Sequence, residues 1–118
     1  MKIDQPADIL DALGKTLERL SSPADVQINY LRTLGVSPSV DELALEFDDL
    51  AALVPQLVKE GHVTWQQAQM VQTLDRKLTD MSNLSTDNLW IESALWDHPD
   101  WEEVRRLASM VVKSLGLQ

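Results

Sequence analysis

Apolar residues recur at intervals of three and four along most of this chain, and no stretch alternates apolar with polar residues as a half-buried strand does. That spacing is the period of an α-helix with one buried face, whereas a strand needs a period of two. The expected fold is therefore all-α: a compact single-domain bundle of about five to six short antiparallel helices, taking in residues 1–118.

Punctuation by proline, glycine and capping residues divides the pattern into segments. Pro6 suits the first turn of a first helix, with Asp4 or Gln5 at its cap. Ile9, Leu10, Leu13, Leu17 and Leu20 mark its inner face, which Gly14 weakens slightly. Ser22-Pro23-Ala24-Asp25 reads as the cap and first turn of a second helix, with Val26, Tyr30, Leu31 and Leu34 inward and Gly35 at its end. The link Val36-Ser37-Pro38 leads to a third. Thr64-Trp65-Gln66-Gln67 is a capping box, with Val63 placed to staple to the next turn, and opens a helix with Met70, Val71, Leu74, Leu78 and Met81 inward. The turn formers from Asp80 to Asp87 read as a loop. A short fifth helix from about Thr86 carries Leu89, Trp90, Ala94 and Trp96. The run Asp97-His98-Pro99-Asp100 interrupts it. The last helix sets Trp101, Val104, Leu107, Ala108, Val111 and Leu115 inward and ends at Gly116.

The third helix is the most acidic element. Ser39 followed by Glu42 has capping-box spacing, and Asp41 and Glu42 lie where the helix dipole is positive. Leu43, Phe47, Leu50 and Val54 form one face, and Glu42, Glu46 and Asp49 form a second stripe roughly 100° round it. Leu45 and Leu53 fall beside the acids. Pro55 predicts a kink or break around Val54, and Gly61 a left-handed stop. Five acids fall between positions 41 and 49, and no Lys or Arg lies between Arg32 and Lys59.

Three accounts fit such a stripe. It is a solvated helix face, or a hard-metal site built from oxygen ligands, or a docking surface for a basic protein. Net charge bears on the choice: −9 over 118 residues repels phosphate backbones and anionic membranes, so neither nucleic acid nor membrane is an expected partner. A cationic protein is. The expected partner-binding residues are Glu42, Leu45, Glu46, Asp48, Asp49 and Leu53, the acids steering the approach and the leucines giving apolar contact.

Other chemistry is thinly supported. There is no cysteine, hence no disulfide framework and no thiolate. His62 and His98 lack a ligand-spaced second histidine and read as exposed loop residues. No glycine-rich phosphate loop occurs. Trp65, Trp90, Trp96 and Trp101 are many for this length; inter-helix packing is their ordinary role, and one of the pair flanking His98-Pro99 is a candidate for exposure. Arg105 and Arg106 stand three residues after Glu102 and Glu103, the spacing of intrahelical ion pairs. No catalytic residue, metal ligand or cofactor is assigned. The start of the chain lacks the apolar core of a signal peptide, so a cytoplasmic location is expected.

Size, charge and helix content together resemble the small acidic helical immunity proteins with which bacteria neutralise their own cationic nuclease toxins. That resemblance implies a protein that binds rather than catalyses, docking a basic partner through the acidic helix. Two other expectations stand beside it. Glu46-Phe47-Asp48-Asp49 matches the Glu-x-x-Asp pair of the all-α magnesium-dependent nucleotide pyrophosphatases, with Glu46 and Asp49 as ligands and Asp75 or Asp80 supplying further acid; their other pair, Glu-x-x-Glu, is absent. A structural or adaptor subunit is the third. Oligomeric state is left open.

Overall fold

The computed structural model describes residues 5–34, 40–83 and 88–116. Among them are seven helices and no strand: α1 (Pro6–Ser21), α2 (Ala24–Thr33), α3 (Asp41–Ala51), α4 (Val54–Lys59), α5 (Trp65–Asn83), α6 (Glu92–Asp97) and α7 (Pro99–Leu115). α1 packs on α7 and α3, and α5 packs on the same two helices, so these four close a ring around the core. α2 lies against α1 and α6, and α4 against α5. Two contacts orient α5 and α7. Gln67 Nε2 at the start of α5 donates to the Ser114 carbonyl at the end of α7 (2.8 Å), while Lys77 further along α5 meets Asp100 at the start of α7 (2.8 Å). The two helices are antiparallel.

The core is assembled from the expected stripes. Leu13, Leu17 and Leu20 of α1, Leu43 and Phe47 of α3, Val71 and Leu74 of α5, and Trp101, Val104 and Ala108 of α7 are buried. Trp101 is the largest of the fully buried side chains. Its indole N–H donates to the Leu89 carbonyl (2.7 Å), and its ring meets Trp90 edge-on with centroids 5.5 Å apart. Burial of this amphipathic side chain thus leaves no orphan donor. The capping box at Thr64 forms in both directions: the Thr64 N–H donates to Gln67 Oε1 (2.8 Å) and the Gln67 N–H to Thr64 Oγ1 (3.1 Å). Gly61 and Gly116 take the positive φ of helix stops, 82° and 68°.

Several expected boundaries move, each for an identifiable reason. The helix break falls at Ala52 and Leu53, before Val54, because Pro55 sits in the first turn of α4, where its missing N–H leaves nothing unpaired. The expected kink or break is thus a full break between α3 and α4. Ser22 does not cap α2: its hydroxyl donates back to the Glu18 carbonyl (2.6 Å), and the N-cap is Pro23. The inner face of α2 is Ala24, Gln27, Ile28 and Leu31, while Val26 and Leu34 are exposed. α5 continues to Asn83, two residues past its expected end, with Met81 buried. The fifth helix starts at Glu92, not near Thr86, and Leu89 and Trp90 precede it. Asn88 Oδ1 accepts from the Trp90 N–H (3.1 Å), a side-chain bond that competes with helix formation there. His98 is no free loop residue: it is the N-cap of α7, its Nδ1 accepting from the Asp100 N–H (3.1 Å). The expected features at Asp4, Ser39, Gly35, Val36-Ser37-Pro38 and Thr86 lie outside the described residues.

Candidate functional site

α3 presents its apolar face to α1 and α5, and its acids divide among three surroundings. Glu46 turns toward α1 and α2. Its Oε2 accepts from the Tyr30 hydroxyl (2.5 Å) and lies 3.7 Å from Arg19 Nη1, while the Arg19 guanidinium stacks over the Tyr30 ring, 4.2 Å from the centroid. Burial, the Glu46 hydrogen bond and the charge of Glu46 push the Tyr30 phenol up to about 12, with Arg19 opposing. Glu42 is half-buried and its charge also reaches Tyr30. Glu46 is thus committed to an internal ion pair.

The outward side of α3 is a stripe of Asp41, Leu45 and Asp48, spaced i, i+4 and i+7, with Asp49 beside it, and all four are exposed. Leu45 is 53% exposed, a large apolar side chain in the middle of three aspartates. A shallow depression of about 130 Å³ lies next to it, lined by Asp41, Ala44, Leu45, Ser82 and Trp90. Leu53 packs against the core instead and is only partly exposed. Of the six expected docking residues, the structure therefore keeps Leu45, Asp48 and Asp49 together on one outward surface. Glu42 and Glu46 lie round the helix toward α2, and Leu53 faces inward.

On the other flank, Asp48 leans over a cleft of about 430 Å³ between the end of α3, α4 and α5. Small residues make the space: Ala51, Ala52 and Ala68 line it, with Pro55 and Val58 of α4 as an apolar wall. α5 contributes Trp65, Gln69, Gln72 and Asp75 from one face. The carboxyls of Asp75 and Asp48 face the same cleft, near enough to act on each other. Burial, and then the neighbouring carboxyl of Asp48, raise the pKa of Asp75 above the ordinary aspartate value. Partial burial and a neighbouring carboxylate both disfavour the charged form of Asp75.

This pairing differs from the expected one. Asp75 meets Asp48, not Glu46 or Asp49, and Asp80 is exposed on another part of α5. Among the described residues, no three of His, Asp and Glu come together as a ligand set for a metal ion. Nor is any helix long and apolar enough to cross a membrane.

Comparison with known proteins leaves the site to be read from its own geometry. No protein-family model, no curated protein and no solved structure matches this chain.

Two features of the site escaped the reading of the sequence. Trp65 is 64% exposed at the mouth of the cleft, although packing was the ordinary expectation for it; of the pair flanking His98-Pro99, Trp96 is the exposed one and Trp101 the buried one. A signal for Trp65 existed: Val71, Leu74 and Leu78 define the buried face of α5, and Trp65 lies roughly 120° away from Val71 on the helix. The Asp48–Asp75 contact had none, because it joins two helices whose approach is a tertiary property.

Proposed function

We propose that this chain is a small acidic protein-binding domain that docks a basic protein partner through the outward side of α3, in the manner of an immunity or antitoxin protein. The observation that carries this reading is Leu45, more than half exposed between Asp41, Asp48 and Asp49. A leucine standing in water loses nothing by being covered, and the aspartates around it attract a cationic surface that can cover it. The net charge of −9 extends that attraction beyond contact distance and speeds encounter, while the apolar contact slows dissociation. Glu46, tied to Tyr30 and Arg19, holds α3 against α1 and α2 rather than meeting the partner.

The test compares the wild-type protein with Asp41→Lys/Leu45→Lys/Asp49→Lys, which alters the outward stripe and leaves Asp48 in place. Both are immobilised and exposed to lysate of the host cell, and retained proteins are identified by mass spectrometry. Circular dichroism checks that the variant is folded. The reading requires a basic protein that the wild type retains and the variant loses, with an association rate that falls as salt rises. Equal retention by both makes the stripe a solvated surface and ends the proposal.

A further inference from the structure

The cleft beside α3 has two unlike ends. Trp65 stands exposed at one, and Asp48 and Asp75 stand at the other. Ten residues of α5 separate Trp65 from Asp75, a distance of about 15 Å along the helix at about 1.5 Å per residue. Between them the walls are mainly apolar, from Ala68, Pro55 and Val58. The volume of about 430 Å³ lies within the range of roughly 300–1,000 Å³ found for small-molecule sites.

A ligand that fills this space must have an apolar body, because the walls offer little else. At the acidic end it must carry positive charge or a strong donor, since an anion would meet two carboxyls. At the tryptophan end a ring or alkyl group gains contact with the indole face. We propose that the cleft is a binding site for a small, elongated organic cation, with its ammonium or guanidinium between Asp48 and Asp75 and its apolar or aromatic end against Trp65. A bound cation offsets the repulsion between the two carboxylates. The cleft borders the outward side of α3 at Asp48, and the variant that tests docking leaves Asp48 in place, so that reading and this one fail separately.

Three molecules of one shape and different charge test the proposal: 4-phenylbutylamine, 4-phenylbutan-1-ol and 4-phenylbutanoate. Each is titrated into the wild-type protein at pH 7, by calorimetry and by the NMR signals of the Trp65 indole N–H and the Gln69 and Gln72 amides. The expected result is saturable binding of the amine that shifts those signals, about tenfold tighter than the alcohol, with the carboxylate weakest. Asp48→Asn/Asp75→Asn should reduce the amine to the affinity of the alcohol. Asp25→Asn/Glu60→Gln, which changes net charge equally at exposed positions elsewhere, should leave it unaltered. Equal affinity for amine and alcohol overturns the proposal, as does the absence of saturation or an equal loss in the two double variants. The comparison of amine with alcohol needs no variant, so a folding defect cannot stand in for a result.

Discussion

Arg105 on α7 donates from Nη2 to the side-chain oxygen of Gln27 on α2, 3.0 Å away across 78 positions of sequence. Gln27 is fully buried, and its amide nitrogen donates in turn to the Arg19 and Leu20 carbonyls at the end of α1 (3.1 and 3.2 Å). Arg105 also donates to the carbonyls of Ser22 (3.1 Å) and Leu95. Four helices thus meet at one buried polar junction. The pair with Glu102 expected from sequence exists at 2.7 Å, but it is the exposed edge of a larger arrangement.

Removing either member of this junction leaves the other with unpaired buried groups, which typically costs about 1–3 kcal/mol per residue. Gln27→Leu and Arg105→Leu should each destabilise the protein by about 2–3 kcal/mol in urea denaturation. The double variant should lose less than their sum, with a coupling of about 1–2 kcal/mol. Glu102→Gln should change stability by under about 0.5 kcal/mol, as for other exposed pairs. Additive losses in the Gln27 and Arg105 variants would show that the two side chains do not act together.

Thr64→Ala removes one half of a reciprocal capping box and should lower stability by about 1 kcal/mol. Thr64→Ser keeps the hydroxyl and should lie within about 0.3 kcal/mol of the wild type. Thermal denaturation of the three proteins, followed at 222 nm, measures both differences.

Tyr30 is the only tyrosine, so the pH-dependent change in ultraviolet absorbance reads the ionisation of one phenol. Its midpoint should lie at about 12, held up by burial and by Glu46. Glu46→Gln removes a negative neighbour and should bring the midpoint down toward the ordinary phenol value of 10.0. Arg19→Gln removes the opposing positive charge and should move it higher. A wild-type midpoint near 10 would mean that the Tyr30–Glu46 contact does not persist in solution.

Asp75 should titrate above its ordinary value of 3.8, and Asp48→Asn should bring it back toward that value. The sign for stability follows. The folded state holds this proton more tightly than the unfolded chain, so the contribution of Asp75 is most favourable below pH 3.8. It is lost as pH rises through the higher folded value. Asp75→Asn should therefore raise stability at pH 7 and change it little at pH 3. Carbon-detected NMR titration of the aspartate carboxyls, with denaturation at both pH values, checks the two statements.

The sequence by itself determined the helical class, most of the buried stripes and those helix ends that are written in local chemistry. The Thr64–Gln67 box, the glycine stops at Gly61 and Gly116, and Pro6 in the first turn of α1 are such features, because each depends on residues within one turn of one another. Tertiary structure alone decided what the polar side chains do. Gln27, Arg105, Glu46 and Asp75 find their partners on other helices, and periodicity carries no information about which helices approach or how they are rotated. The acidic stripe read from α3 was correspondingly divided. Glu46 went to Tyr30 and Arg19, Leu45 and Asp49 to the outside, and Asp48 to the edge between that outward side and the cleft with Asp75. A helix shows all its faces to the reader of a sequence at once, and only its neighbours decide which of them meets water.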